Sequence, residues 1–381
     1  MTVTAKINIK NQDISESIRS FLEDILKTGI VQAMLVPQHL PMKKMVMPTL
    51  VTDPKYLEGV DTLAPAFPMN AATIAAKLTR KPIGGKIAAV LRPCEIRAFI
   101  ELVKLNQAQK DDIILICVDC LGAFQNNDYL KFFSQKTKEA STLFYKKVIE
   151  ENAVEIEGVK LATACMACEH PVSENADIQI GLYGMKTDES LLVKAQSQAG
   201  DNILKQLNLS ATNEPAGRQS AINNLIKQRT EYKDNMFDKT KEATDSLEKI
   251  SEYFASCVNC YNCRVACPVC YCKECVFVTD VFNHDPSQYL SWAKRKGIIK
   301  MPTDTLFYHI TRLTHMSTAC VGCGQCSNAC PNDIPVMELF RSIGDITQKA
   351  FDYQAGQSIE QRPPLSIFNK DEYQEVVGIN D

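Results

Sequence analysis

The sequence predicts an α/β fold followed by a smaller, mainly helical module, and three observations carry that expectation. Residues 86–118 read as strand, helix, strand, the pattern of a parallel crossover. From about 187 to 255 charged and polar residues take over, with Pro215 and Gly217 marking a break. After that, two identically spaced four-cysteine runs appear, separated by about fifty residues with helical periodicity. At 381 residues and 45% hydrophobic, the chain can bury a substantial core. The expected organisation is an α/β unit over 1–190, a helical bridge over 191–250, a cysteine-rich module over 251–345 and a tail over 346–381.

Near the start, Ile18, Phe21, Leu22, Ile25 and Leu26 share one helical face. Val31 to Val36 reads as a strand that ends at Pro37. Met42, Met45 and Met47 read as packing residues. Lys86 to Leu91 suits a buried parallel strand, Ile96 to Leu105 has helical periodicity, and Ile113 to Val118 supplies a second buried strand. Between strand and helix lie Arg92, Pro93, Cys94 and Glu95. Pro93 fits a first helical position, and Glu95 suits the positive end of the helix dipole. Such a turn is where α/β folds hold ligands, so these four residues are candidate cofactor contacts; the plainer alternative is a capped turn with a buried thiol. No G-x-G-x-x-G accompanies the turn, which argues against a conventional dinucleotide site. Cys117-x2-Cys120 and Cys165-x2-Cys168 follow, spaced for zinc or for an iron–sulfur cube.

Lys233 to Tyr253 reads as an amphipathic helix with Phe237, Leu247, Ile250 and Phe254 among its apolar positions. It leads into Cys257, Cys260, Cys263 and Cys267, followed by Pro268; the same C-x2-C-x2-C-x3-C-P spacing recurs at Cys320, Cys323, Cys326 and Cys330, followed by Pro331. In bacterial ferredoxins each such run gives three thiolates to one [4Fe-4S] cube and its fourth to the other. The expected sets are Cys257, Cys260 and Cys263 with Cys330, and Cys320, Cys323 and Cys326 with Cys267. Structural zinc uses paired knuckles rather than two runs each ending in proline. Cys270, Cys272 and Cys275 crowd in behind Pro268 as ligands of a further cluster or as free thiols packed near one. Thr305 to Met316 and Val336 to Ile343 have helical periodicity; His309 and His315, ahead of the second run, read as packing histidines. Lys294-Arg295-Lys296 reads as a solvated helix face or a docking patch.

Net charge is −3 and the pI near 6.0, so no basic field is available for nucleic acid. No apolar run reaches bilayer length, the first residues lack a signal-peptide pattern, and sixteen cysteines point to a reducing, cytoplasmic setting. No Ser/His/Asp or Cys/His constellation and no poised carboxylate pair is legible, which favours a subunit over a stand-alone enzyme.

Three patches resemble the coenzyme F420 hydrogenase/dehydrogenase beta-subunit family. Val90-Leu-Arg-Pro-Cys-Glu-Ile-Arg97 resembles its G-T-P-C-Q turn, and Ile114-Leu-Ile-Cys117 its strand ending in Phe-Cys. Cys165-Met-Ala-Cys168 followed by Asn175-Ala-Asp-Ile-Gln-Ile-Gly181 resembles its C-x2-C…A-D-x-x-x-G signature. The resemblance covers roughly residues 20–190. It implies a flavin-binding α/β domain plus a mainly helical two-cluster ferredoxin-type domain. It also implies FAD beside a [4Fe-4S] cube, passing electrons between a two-electron carrier (F420 or a nicotinamide nucleotide) and a one-electron chain. In the family that cube would draw on Cys117, Cys165 and Cys168, with Cys94 or Cys120 as the fourth ligand. The implied partner is the catalytic subunit of a formate dehydrogenase or hydrogenase, or heterodisulfide-reductase-like subunits. Arg92 and Glu95 stand where the family often has Thr and Gln, a change that would alter which carrier is accepted. The ferredoxin-type module follows the flavin-type domain here, whereas in several relatives it precedes it. Two other readings are a flavin-free iron–sulfur wire and a zinc-stabilised assembly scaffold.

Overall fold

The computed structural model describes residues 3–40, 45–136 and 139–366; Met42 and the last fifteen positions of the tail, 367–381, lie outside them. The first strand, β1 (Thr4–Asn8), leads to α1 (Ile14–Lys27), β2 (Ala33–His39) and β3 (Val46–Val51). Helix α1 starts where the Asp13 carboxylate accepts from the N–H groups of Ser15 and Glu16, and it buries all five residues of the expected apolar face. Strand β2 does not stop at Pro37 but runs through it. Pro37 faces Pro48 across the antiparallel β2–β3 pair, so neither ring withholds an N–H that the partner needs. The Pro37 carbonyl instead accepts from Asp61 N–H at 3.0 Å.

The crossover follows as α2 (Ala72–Thr79), β4 (Ile87–Val90), α3 (Pro93–Lys104) and β5 (Ile113–Val118). Next come α4 (Asn126–Lys136), α5 (Ala140–Glu151), a small hairpin of β6 (Glu155–Ile156) and β7 (Val159–Lys160), and α6 (Thr163–Met166). Strands β8 (Ile178–Gly181), β9 (Ser190–Ala195) and β10 (Ser210–Ala211) flank α7 (Gln198–Gln206). Eight strands form one sheet in the order β10-β1-β9-β8-β5-β4-β2-β3, with β2, β4, β5 and β8 parallel at its centre and antiparallel strands on both sides. Because β9 pairs with both β8 and β1, the sheet reaches past the expected limit at 190 to Ala211.

The remaining elements are helical: α8 (Arg218–Ala243), α9 (Leu247–Tyr253), α10 (Asn262–Ala266), α11 (Pro286–Lys296), α12 (Thr305–Met316), α13 (Gln325–Asn328) and α14 (Val336–Ala350). The expected helix over 233–253 is in fact two. Helix α8 begins fifteen residues earlier, and the Ser246 hydroxyl restarts the chain as α9 by accepting from Lys249 N–H.

Period-two alternation decides which core each strand residue joins. Ala88, Val90, Ile114, Ile116 and Val118 face a layer built from α1, α4, α5 and α7. Ile87, Ala89, Ile113, Leu115 and Cys117 face α2 and α3, and on this side Phe254, Met316, Val336 and Phe340 of the helical module complete the core. The cysteine-rich helices therefore pack directly on the crossover that carries Cys94. Among the described residues, no helix is long and apolar enough to cross a membrane.

Candidate metal and cofactor site

The carboxyl ends of β2, β4 and β5 open onto a narrow cavity of about 60 Å³ lined by Pro37, Leu63, Phe67, Arg92, Glu95 and Cys120, among others. Arg92 reaches across its edge. One guanidinium nitrogen donates to the carbonyls of Ala64 (2.9 Å) and Ala66 (2.5 Å), and the Phe67 ring lies 4.9 Å from the guanidinium carbon. The Glu95 carboxylate accepts from Ala71 N–H (2.7 Å) and Arg92 N–H (2.8 Å), and burial raises its pKa against the pull of Arg92. These two residues, which sequence reasoning marked as ligand contacts, thus also hold the 64–71 loop in place. Pro93 occupies the first helical position and is buried.

Cys94 faces away from this cavity into a second, smaller one, which it lines with Cys120, Cys165 and Cys168. The two cavities share Phe67, Arg92, Cys120 and Gly122 as a common wall. Cys94 comes from the first turn of α3, Cys120 from the end of β5 and Cys165 from α6. Burial raises the thiol pKa of Cys94, Cys120 and Cys165, the last to about 12, and neighbouring thiols add to it: Cys120 and Cys168 act on both Cys94 and Cys165. Buried thiols that oppose one another's ionisation make a donor set whose strain a cationic core would relieve. Cys117 departs from expectation. It sits mid-sheet in β5, fully buried, with its sulfur 3.4 Å from the Val118 carbonyl, and it does not line this cavity. The alternation of the strand turns it into the apolar layer under α3 while Cys94 and Cys120 both reach the other cysteines.

The two C-x2-C-x2-C-x3-C runs have the same backbone. Asn259 and Tyr261 in the first run and Gly322 and Gly324 in the second, at equivalent positions, all adopt positive φ (50°, 60°, 68° and 79°), and each run then enters a short helix, α10 or α13. Alternation of left- and right-handed residues turns successive N–H groups inward to form an anion-binding nest, as iron–sulfur loops require. Holding a tyrosine in the left-handed region is costly, and the first run nonetheless does so.

The thiols group across the runs. Burial raises the Cys326 pKa, with further upward pushes from Cys267, Cys323 and Cys320; Cys323 is pushed to about 12 by burial and then by Cys267. Cys257 is raised by burial and by both Cys263 and Cys330. Cys267 therefore lies with the second run and Cys330 with the first. Cys260 is exposed at the edge of its loop. Among the described residues, no three His, Cys, Asp or Glu side chains meet at the spacing of one metal ion. A zinc ion would draw its sulfurs to about 2.3 Å from a single point, whereas a four-iron cube holds them at separate corners.

Cys270 lies beside Cys267 and is pushed to about 11, chiefly by burial; Cys272 is exposed, and Cys275 packs with Phe277 and Tyr308. His309 is the packing histidine expected. It stacks on Phe254 with centroids 3.8 Å apart, places Nε2 3.3 Å from the Cys257 sulfur, and is pushed down to about 3 by burial, Arg312 and Lys300. His315 is exposed, as is the whole 294–296 basic run.

The second run is fastened to the α/β unit. Gln325 and Asn328 of α13 donate to the Phe67 carbonyl at 2.8 and 3.0 Å. A Cβ added at Gly324 would stand 2.4 Å from the Ala164 Cβ on α6, beside Cys165. Gly324→Ala should therefore lower stability by about 1–3 kcal/mol, from overpacking and an unfavourable φ together, as read from the denaturant midpoint. Sequence reasoning missed the buried arginines 218, 229 and 312 and the half-buried Arg97, which carry no motif, and the buried Asp119 between the two cysteines of its pair.

Residues 84–215 match the family model for the C-terminal part of the coenzyme F420 hydrogenase/dehydrogenase beta subunit, and residues 314–336 match a 4Fe-4S binding domain. The first match spans the strand–helix turn and all of Cys94, Cys120, Cys165 and Cys168; the second spans Cys320 to Cys330. The chain is 27% identical over 319 residues to the F420-dependent formate dehydrogenase subunit beta of Methanocaldococcus jannaschii, covering 78% of this chain and 80% of the relative. It is 25% identical over 380 residues to the F420-dependent formate dehydrogenase 1 subunit beta of Methanococcus maripaludis, covering 92% of each. A chain from the F420-reducing [NiFe] hydrogenase complex of Methanosarcina barkeri aligns with a TM-score of 0.46 and 13% identity, over 65% of this chain and 94% of that one.

Proposed function

The chain belongs to the coenzyme F420 hydrogenase/dehydrogenase beta-subunit family, and from that premise we propose that it is the electron-transfer beta subunit of a formate dehydrogenase-type complex. The observation that carries this reading is a sequence in space. The cavity at the strand ends shares a wall with the Cys94, Cys120, Cys165 and Cys168 group. That group adjoins the second run, because Cys323 lines the same small cavity and acts on Cys94. The second run in turn adjoins the first, since Cys326 packs into the aromatic cluster that holds Cys263. Three thiol groups thus lead from the cavity to the exposed Cys260.

FAD held at this end of the sheet, where the narrow cavity would have to open to admit it, would supply the exchange between electron pairs, given or taken by F420, and single electrons, which cubes carry. The chain's own residues position and insulate. Arg92 and Glu95 brace the 64–71 loop, and Gln325 and Asn328 clamp the second run to that same loop. Apart from the exposed Cys260, these thiols are buried or half-buried, which limits the water that reaches the sulfurs, one of the factors that set a cube's potential. The ligand sets of this reading are Cys94, Cys120, Cys165 and Cys168; Cys267, Cys320, Cys323 and Cys326; and Cys257, Cys260, Cys263 and Cys330.

Iron, sulfide and acid-released flavin should be measured on the anaerobically prepared full chain, alongside Cys120→Ala and Cys117→Ala. The expected result is about twelve irons per chain at four per cube, with one flavin. Cys120→Ala should lose about four irons and Cys117→Ala none. About sixteen irons would add a fourth cube at Cys270, Cys272 and Cys275. Iron without flavin would leave a one-electron wire, and zinc in place of iron would overturn the proposal.

A further inference from the structure

Arg229, Arg97 and Arg312 share an arrangement that the proposed electron path does not by itself require. Among the described residues none of them meets a carboxylate at ion-pair distance, although Arg229 and Arg312 are only 6% and 3% exposed. A buried guanidinium without a countercharge is costly, so the balancing negative charge must come from somewhere else. Cysteines of the proposed groups stand beside Arg229 and Arg312, and Arg97 lines a cleft with Cys320.

Arg312, on α12, donates to the Cys263 sulfur at 3.1 Å and to the Cys263 carbonyl at 3.2 Å. The rings of Phe340 and Tyr308 lie 4.8 and 5.6 Å from its guanidinium carbon, and its Nε finds no hydrogen-bond partner. The Tyr308 ring beside it packs in one cluster with Cys263 of the first run and Cys326 of the second. Those cysteines belong to both ferredoxin-type groups, so Arg312 stands between them. Arg97, on α3 three residues after Cys94, donates to the carbonyls of Val321 and Ala355 and lines a cleft with Cys320, which places it between the N-terminal group and the second run. Arg229, on α8, lines the N-terminal cavity, lies 3.4 Å from the Cys168 carbonyl and feels Cys168, Cys120 and Cys165.

We infer that Arg229, Arg97 and Arg312 are fixed countercharges interleaved with the three thiol groups, holding the reduction potentials of those groups up and close together. The physical reason is charge. Four thiolates already make each site anionic, and every electron that arrives adds another negative charge. A permanent cation beside the site stabilises the reduced form more than the oxidised form. Because Arg97 and Arg312 each lie between two groups, each lifts two neighbouring potentials together and keeps the steps between them shallow in either direction. These are positioning residues for charge and not ligands. The inference rests on the proposed ligand sets.

The test is a redox titration of the anaerobic full chain, followed by electron paramagnetic resonance, with Arg312→Gln, Arg312→Lys and Arg229→Gln. Arg312→Gln should shift the reduction equilibrium of the two ferredoxin-type sites at least tenfold toward the oxidised form. That is about 59 mV downward for one electron. Arg312→Lys, which keeps the charge, should recover most of that shift, and Arg229→Gln should move the N-terminal site alone. Iron content is measured on every sample. Unmoved midpoints in fully iron-loaded variants would overturn the inference, and so would an equal shift of all three sites by either Gln variant. A wild-type chain without iron would defeat the proposed function itself, an outcome separate from failure of the countercharge idea.

Discussion

Changing Cys330 to serine should remove the iron bound by the first run, although Cys330 lies in the second. The spacing alone implies that the fourth cysteine of each run crosses over, and the structure sets Cys330 by Cys257 and Cys267 by Cys326. Two double variants make the prediction sharp. If Cys257 and Cys330 serve one cube, removing both should cost no more iron than removing either, about four per chain. Removing Cys320 together with Cys330 should cost about eight, because two different cubes then lose a ligand. Ligation within each run would reverse the two results. Iron analysis of the anaerobic proteins decides between them.

Asp119→Ala should destabilise the chain by about 3–5 kcal/mol, because the buried Arg218 then keeps only the half-exposed Glu214, 3.4 Å away, as its countercharge. The Asp119 carboxylate accepts from the Arg218 guanidinium at 2.6 and 2.9 Å, from the N–H groups of Leu182 and Tyr183 at 2.8 and 3.1 Å, and from Gln179 at 2.7 Å. Both side chains of the pair are almost wholly shielded from solvent, at 5% and 0% exposure for Arg218 and Asp119. This bidentate contact fixes the start of α8 against the end of β5, next to Cys120, and α8 carries Arg229 to the same group. Loss of Asp119 should therefore also weaken iron retention at Cys94, Cys120, Cys165 and Cys168. Replacing Asp119 by Leu and Arg218 by Met together should recover much of the stability, since no charge is then left unpaired. A loss under about 1 kcal/mol for Asp119→Ala would mean that water reaches the pair.

Local patterns were readable where one periodicity ruled. The apolar face of α1, the all-buried strands β4 and β5, and α12 over Thr305–Met316 appear where the residues predict them. Pro93 begins α3 as its fixed φ requires. Expectations failed where a distant partner decided the matter. Pro37 reads as a strand end, yet β3 places a second proline opposite it and the strand continues. Polar residues after 187 read as a bridge, yet β9 finds its partners in β8 and in β1, the first strand of the chain. Residues 233–253 read as one helix because the apolar positions span the gap, whereas the cap at Ser246 breaks it.

By itself the sequence determined what lies within one loop. Two runs with cysteines two residues apart close their own turns, and the positive-φ positions at Asn259, Tyr261, Gly322 and Gly324 follow from that short closure. Only the tertiary structure decided which thiols meet. Cys117 and Cys120 are three residues apart, but strand pleating turns the first into the core, whereas the second lies past the end of β5, where the chain leaves the sheet and brings it to Cys94, Cys165 and Cys168. The same holds for the arginines. A guanidinium needs a countercharge nearby in space and not along the chain, and it is the packing of α3, α8 and α12 around the cysteine groups that brings Arg97, Arg229 and Arg312 to theirs.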